Sequence, residues 1–295
     1  MSHVLVLGGG WVGTAVARVA AAHGRVTVVD PPLDPRWRDR DDDAIDALRT
    51  TIGDGGVTAV INACGRVRGA DNELDDANHR FVAWLVEAMA PTGARLVHVG
   101  SASEYGDPGS AAPVHEATPA RPVGGYATTK ALGTDVALDA GRTGQPVCVA
   151  RVFNIVDHPI PAVSPLHEWL DALRELGPEG GDIEVWWPPT TRDFVMLEDV
   201  ARALVELATS DAAPPPLINV CSGVGLRFGD VVEAMAQAVD VDATVRSLDR
   251  PGIEAVVGDS TLLRRTLGWV PAMSAAALAA RVTATTAGGP AERSR

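Results

Sequence analysis

The chain is 295 residues long, 46% hydrophobic, and carries a formal charge of −13 with a pI near 4.9. That length and apolar content suit one large domain or a main domain with a small lobe, and the acidic balance argues against nucleic acid or an anionic membrane surface as partner. No apolar run approaches the ~20 residues of a membrane span, and the chain enters a strand pattern without a charged leader and cleavage site, so a cytoplasmic location is expected.

His3-Val4-Leu5-Val6-Leu7 is a short apolar run that feeds Gly8-Gly9-Gly10-Trp11-Val12-Gly13 and then the helical Thr14 to Ala20. Strand, glycine-rich turn and helix in that order give G-x-G-x-x-G the context of a dinucleotide fingerprint. Gly8 permits the tight turn, Gly10 lets backbone amides reach a pyrophosphate at the helix N-terminus, and Gly13 lets helix approach strand; Trp11 and Val12 complete the turn. Arg25 to Val29 is a second strand ending in Asp30, whose carboxylate accepts from ribose hydroxyls and repels a 2′-phosphate, favouring NAD over NADP.

Pro31 to Arg40 reads as a loop and Asp42 to Thr51 as a helix, so the usual third strand is missing or short. Thr58 to Ala63 is the next strand, ending in Cys64-Gly65, where small residues let a cofactor lie close. Asp75 to Ala90 is an amphipathic helix with Asn78 near its start, where a helix-starting role would explain it equally well. Ala94 to Val99 is another buried strand that delivers Ser101 at its carboxyl end, the edge where ligands bind in open parallel sheets.

In Tyr126-Ala127-Thr128-Thr129-Lys130 the phenol and the ammonium are four apart, one turn separated on one helix face. A nearby cation favours phenolate, so Lys130 is expected to lower the pKa of Tyr126 toward what proton transfer near neutral pH requires. Scarcity sharpens the pairing. Lys130 is the single lysine among 25 basic residues, and the chain has two tyrosines, Tyr105 and Tyr126.

Val147 to Phe153 is a further strand ending in Asn154. The alternation then becomes irregular, with a helix over Pro165 to Leu176 and a short strand over Ile183 to Trp187. The main pattern resumes with Thr191 to Val195, helix Leu197 to Thr209 and strand Leu217 to Val220. Helices follow over Phe228 to Val239, Asp259 to Leu267 and Ser274 to Val282, and residues 286–295 read as a disordered tail. Cys64, Cys148 and Cys221 each lie in apolar runs and read as buried free thiols, and no His/Cys/Asp grouping has metal-ligand spacing.

In this order the pieces resemble the extended short-chain dehydrogenase/reductase family, in its NAD-dependent epimerase/dehydratase branch acting on nucleoside-diphosphate sugars. They are the glycine turn, Ala63-Cys64-Gly65, Ser101 four before Tyr105-Gly106, Tyr126-x-x-x-Lys130, Arg151-x-Phe153-Asn154, Arg192-Asp193-Phe194-Val195, Asn219-Val220 before Ser222-Gly223, Arg250-Pro251-Gly252 and Leu267-Gly268-Trp269. The resemblance implies that Tyr126 is the acid/base, that Lys130 holds the nicotinamide ribose, and that Ser101 hydrogen-bonds the reacting oxygen. It further implies that Asn154, Arg192 and Arg250 contact substrate phosphates, a role guanidinium forks fit, although a surface ion pair would explain each arginine singly.

Two departures matter. Leu7 stands where the branch usually has the first glycine of its turn, and Ala102-Ser103 follows Ser101 where sugar 4,6-dehydratases have an Asp-Glu pair, so dehydration lacks its usual proton carriers. The expected fold is α/β, a Rossmann-like doubly wound parallel sheet over residues 1–155 and 190–222, with a small discontinuous C-terminal substrate-binding lobe over 156–189 and 223–285 and the site in the cleft between. The expected activity is NAD-dependent epimerisation of a nucleotide sugar through a keto intermediate; an NAD(P)H-dependent nucleotide-dehydrosugar reductase and a non-catalytic dinucleotide sensor are the alternatives, and the family implies a homodimer.

Overall fold

The computed structural model describes residues 2–30, 40–186, 189–248 and 252–284, with the Trp186 side chain outside the description. The Pro31 loop, Arg250 with Pro251, and the expected tail fall outside those residues. The chain groups into two compact units, one within Met1–Ile155, Arg192–Gly225 and Ile253–Ala272, the other within Val156–Thr191, Leu226–Gly252 and Met273–Arg295.

The first unit begins β1 (Ser2–Leu7), α1 (Trp11–Ala20), β2 (Gly24–Val29), α2 (Asp42–Gly55), β3 (Ala59–Asn62), α3 (Asp71–Asp75), a π-helical turn (Asp76–Arg80) and α4 (Phe81–Met89). It continues with β4 (Arg95–Ser101), a 3₁₀ turn (Ala102–Tyr105), α5 (Gly125–Arg142), β5 (Val147–Val152) and β6 (Asn154–Val156). After α6 (Pro165–Leu176) and β7 (Gly181–Trp186) come β8 (Thr191–Met196), α7 (Leu197–Thr209), β9 (Leu217–Val220), β10 (Gly225–Arg227), α8 (Phe228–Ala238), β11 (Ala243–Leu248), β12 (Ala255–Val256), α9 (Thr261–Leu267) and α10 (Ala275–Val282).

Six parallel strands form the central sheet in the order β2-β1-β3-β4-β5-β9. The inner strands are Val/Ile/Leu/Ala runs because both faces are covered: β5 is buried at all six positions. On one face Val4, Val6, Ile61 and Cys148 pack with α1, α7 and Leu263 of α9. On the other, Leu5, Leu7, Val60 and Leu96 pack with α2, α4 and the Ala137–Ala140 end of α5. Among the described residues β2 is one edge of the sheet, with Val28 exposed, and no strand lies beyond it.

Local chemistry sets the helix ends. The Asp41 side chain accepts from Ala44 N–H at 2.9 Å, two acids follow in the first turn, and α2 runs on past the expected Thr51 because Gly56 closes it in the left-handed region (φ 62°). The helix expected from Asp75 begins at Asp71 instead and carries the π turn, so Asn78 lies in mid-helix and is buried. Ile253–Ala272, expected in the lobe, belongs to the first unit: β12 pairs β8, and α9 packs on β9 and α7. β8 itself pairs β6 and β12 rather than joining the six-stranded sheet.

In the second unit, α6 starts at a Ser164 cap with Pro165 in its first turn. Trp169 of α6 meets Phe228 of α8 edge-on, with ring centroids 5.0 Å apart, and α8 packs on α10. β7 pairs in parallel with β11, a strand with no counterpart in the expected elements. Among the described residues, no helix is long and apolar enough to cross a membrane.

Candidate active site

The first half of the site is backbone. Gly8 sits at φ 103°, and a Cβ there would lie 3.0 Å from the Ala63 and Cys64 backbone. A Cβ on Gly13 would come within 1.9 Å of the Gly8 carbonyl oxygen, so only glycine lets α1 start this close to the turn. Gly10, the N-cap of α1, offers no side-chain cap to the first-turn amides, and a Cβ there would meet nothing within 4 Å. Open space at an uncapped helix N-terminus suits an incoming pyrophosphate. Gly8, Gly9, Gly10, Asp30, Ala63, Cys64 and Gly65 line one cavity of about 690 Å³, with Arg40 and Asp76 also in its wall. Arg40 forks onto the Asp76 carboxylate at 2.5 Å, an ion pair the sequence did not announce. Trp11 and Val12, half-buried in the first turn of α1, pack against the core behind it.

These residues fit a dinucleotide: a phosphate cradle at one end, a carboxylate at the strand end for the ribose, and small residues between. Cys64 is half-buried rather than buried. Burial pushes its thiol up to about 12, Asp30 adding to the rise and Lys130 opposing it.

The second half is made of side chains. Asn78 holds the loop after β3, accepting from Arg66 N–H at 2.8 Å and donating to the Arg66 carbonyl at 2.9 Å and to Thr129 Oγ1 at 3.1 Å. That loop passes close to Lys130: a Cβ on Gly65 would lie 3.8 Å from its Nζ. Lys130 is 4% exposed and donates from Nζ to the Val99 carbonyl at 2.5 Å. Burial lowers its pKa, against the raising influence of Glu104 and Cys64.

Ser101 ends β4 and caps the 3₁₀ turn, its Oγ accepting from Ser103 N–H at 3.2 Å and lying 2.9 Å from Ser103 Oγ. Ser101 lies near enough to Tyr126 to bear on its protonation, favouring the phenolate. The expected fall in the Tyr126 pKa is not what the surroundings produce. Burial raises it, Ser101 opposes, Glu104 raises it further, and Lys130 is not among the causes.

Asn154 and Arg192 already serve the fold. The Asn154 amide donates to the Asp193 carbonyl at 2.7 Å, and Arg192 donates to the Ile253 carbonyl at 3.0 Å, with burial bringing its guanidinium down to about 10. Arg250 lies outside the described residues. Asp193, buried, receives Ser222 N–H and Oγ, Gly223 N–H and Gly258 N–H, which explains the Arg192-Asp193-Phe194-Val195 segment as a fastening of loops.

Glu104 is the residue that inspection of motifs passed over. Its carboxylate, fully buried, accepts from Ser101 N–H, Thr134 and Arg151. The one local signal was the Ser101-x-x-Glu104 spacing of a capping box.

A glycine turn this tight, between the first strand and first helix of a parallel, doubly wound sheet, marks a Rossmann-fold dinucleotide-binding protein. The sequence profile of the NAD dependent epimerase/dehydratase family matches residues 4–221, and the chain belongs to that family. It is an NAD-dependent enzyme. A dTDP-6-deoxy-L-talose 4-dehydrogenase (NAD(P)+) of Kitasatospora kifunensis is 32% identical over 229 residues, covering 73% of this chain and 71% of that one. Among solved structures, RMD from Pseudomonas aeruginosa complexed with NADPH superimposes with a TM-score of 0.79 at 23% identity over 96% of each chain. DesIV, a dTDP-glucose 4,6-dehydratase from Streptomyces venezuelae with NAD bound, does so at 0.78 and 21% over 95% of each. Those two likenesses establish the shared fold.

Proposed function

We propose that this enzyme interconverts a hydroxyl and a keto group on the sugar of a nucleoside-diphosphate deoxysugar, acting as a 4-dehydrogenase or, in reverse, a keto-sugar reductase. The observation that carries this reading is the placement of Ser101 at the carboxyl end of β4, tied through Glu104 to the α5 helix of Tyr126 and Lys130, with no carboxylic acid at Ala102-Ser103. A bound nicotinamide dinucleotide would supply or accept the hydride. In the reducing direction the Tyr126 phenol would give its proton to the carbonyl oxygen, and in the oxidising direction the phenolate would take the hydroxyl proton. The Ser101 hydroxyl would hold that oxygen, and the buried Lys130, beside the Gly65 loop, would hold the nicotinamide ribose. Water elimination needs a second acid and base beside the ring, and Ala102 and Ser103 provide neither.

The 4-dehydrogenase relative supports C4 as the reacting carbon and a dTDP sugar as substrate. Asn154, Arg192 and Arg250 are the proposed diphosphate contacts; a phosphate oxygen at Arg192 would offset the desolvation that lowers its pKa. Epimerisation would use the same residues and differs in consuming no net cofactor.

The test is to incubate the protein with dTDP-6-deoxy-L-talose and NAD+ or NADP+, following reduced nicotinamide by absorbance and sugars by chromatography. Reduced cofactor accumulating in step with a keto-sugar supports the dehydrogenase. Interconversion of sugar isomers at constant cofactor would establish the epimerase in its place, and a dehydrated product would overturn the reading of Ala102-Ser103.

A further inference from the structure

We propose that Glu104 is a positioning residue of the proton-transfer centre, fastening Ser101 to the helix of Tyr126 and Lys130 and setting the charge around both through its buried carboxylate. This rests on reading Tyr126 as the acid/base.

The geometry is a three-way clamp. Oε1 accepts from Ser101 N–H at 2.7 Å and from Thr134 Oγ1 at 3.0 Å, and Oε2 accepts from Arg151 Nε at 2.7 Å. Ser101 is the carboxyl end of β4, Thr134 lies on α5 one turn beyond Lys130, and Arg151 stands on β5, so one carboxylate joins the two elements that carry the acid/base residues to the strand beside them. The clamp is stiff at its far end, because Arg151 lies over the Tyr105 ring at 4.7 Å and Tyr105 donates to Asn219 Oδ1 at 2.7 Å. Space for the carboxylate comes from Gly100, where a Cβ would sit 2.9 Å from Oε1.

An ordinary scaffold contact would not need a charge in this place. A buried ion pair is weak as a stabilising device, since apolar residues of similar volume commonly do as well. Here the pair is fastened to Ser101 and to the helix that carries Tyr126 and Lys130. The charged and titratable groups around it are Arg151 from β5, Lys130 and Tyr126 from α5 and Tyr105 from its own turn; His98 of β4 and Cys64 of the loop after β3 interact with Lys130, and Glu116 acts on Tyr105. Asp71 of α3 reaches the start of α5 at Gly125, Asp76 of the π turn is held by Arg40, and Glu87 of α4 is exposed. Within that set Glu104 acts on both partners, helping to keep Lys130 charged and Tyr126 protonated.

Two variants separate charge from tether, each made in a Tyr105→Phe background so that Tyr126 is the only tyrosine and its phenolate absorbance can be titrated directly. Glu104→Gln with Arg151→Met keeps acceptors for Ser101 and Thr134, removes both charges and strands neither. The expected result is a folded protein whose phenolate forms about one pH unit lower, with kcat down about tenfold and KM within about threefold. Thr134→Val keeps both charges and cuts the tether to α5; kcat is expected to fall about fivefold with the phenolate midpoint unmoved. A charge-free variant whose phenolate midpoint matches its parent, or loss of its fold, overturns the electrostatic role, and an unchanged kcat in Thr134→Val overturns the tether. The absorbance titration needs no substrate, so it reads the charge of Glu104 even if the assigned sugar chemistry fails.

Discussion

The two halves of the site are built on opposite principles. The dinucleotide cradle is backbone, compressed into β1 and the turn through Gly13 and closed by Ala63 and Cys64 against Gly8. The proposed proton-transfer centre is side chains from β4, α5 and β5, joined by contacts between residues 30 and 47 positions apart. A backbone cradle tolerates any neighbour that leaves it room, whereas an assembled centre depends on every element holding its register. Damage to the cradle should therefore appear as lost fold or lost cofactor, and damage to the centre as lost chemistry on an intact fold.

The largest effect that would test this division is Tyr126→Phe. Removing the hydroxyl proposed to move the proton should cut kcat by about a thousandfold while dinucleotide affinity and thermal stability stay at the parent's values. Turnover within a few-fold of the parent would remove Tyr126 from the chemistry. Next is Gly13→Ala, whose Cβ would press into the Gly8 carbonyl at 1.9 Å, with only backbone to give way. It should cost about 3 kcal/mol of stability, read by denaturant unfolding, and abolish cofactor binding.

The same division explains what could be read before the fold was known. The cradle was legible because its determinants are local: an apolar run, glycines at fixed offsets, an acid at the end of the next strand. Tyr126 and Lys130 were legible because each is scarce and their spacing matches one helical turn. The sheet followed from buried Val/Ile/Leu runs such as Val147 to Val152. Other features depend on the third dimension. Nothing local joins Glu104 to Arg151, and the direction of the Tyr126 shift is set by burial, which a neighbouring cation in sequence does not reveal. The π turn at Asp76–Arg80 has no repeating pattern, and β11 is a partly exposed Ala-Thr-Val-Arg-Ser-Leu run that carries no apolar signal. Arg151 entered as a family motif residue beside Asn154, and its work is to pair inward.

The protonation of Tyr126 sharpens the contrast further through pH. Burial raises the phenol's pKa, so the donor form persists through neutral pH and the reduction rate should stay flat there, falling only as pH climbs through the raised pKa. Oxidation needs the phenolate and should rise about tenfold per pH unit below that pKa. Rate profiles measured in both directions should share one inflection above the ordinary tyrosine value. An inflection well below it would mean that Lys130, with cofactor in place, overrides burial.

Gly10→Ala separates the cradle's two jobs. Gly10 has ordinary extended backbone (φ −75°, ψ −166°) and open space around its missing Cβ, so alanine should leave stability within about 0.5 kcal/mol. The added methyl would occupy the approach to the α1 amides, weakening dinucleotide binding about tenfold by titration calorimetry. Equal loss of stability and binding would mean that the turn, like Gly13, is read by the fold alone.

Ser103→Ala is the smallest change and probes the seam inside the centre. Ser103 Oγ lies 2.9 Å from Ser101 Oγ, close enough to orient the hydroxyl that in turn meets Tyr126. The Ser103 N–H bond to Ser101 Oγ survives the substitution, so the 3₁₀ turn should keep its shape and only the direction of one hydroxyl proton is freed. One neutral hydrogen bond is worth about 1 kcal/mol, so kcat should fall about fivefold with KM and dinucleotide affinity unchanged. A larger fall, accompanied by a slower solvent-exchange-sensitive step, would make Ser103 part of the proton's path; no change would confine proton transfer to Ser101 and Tyr126.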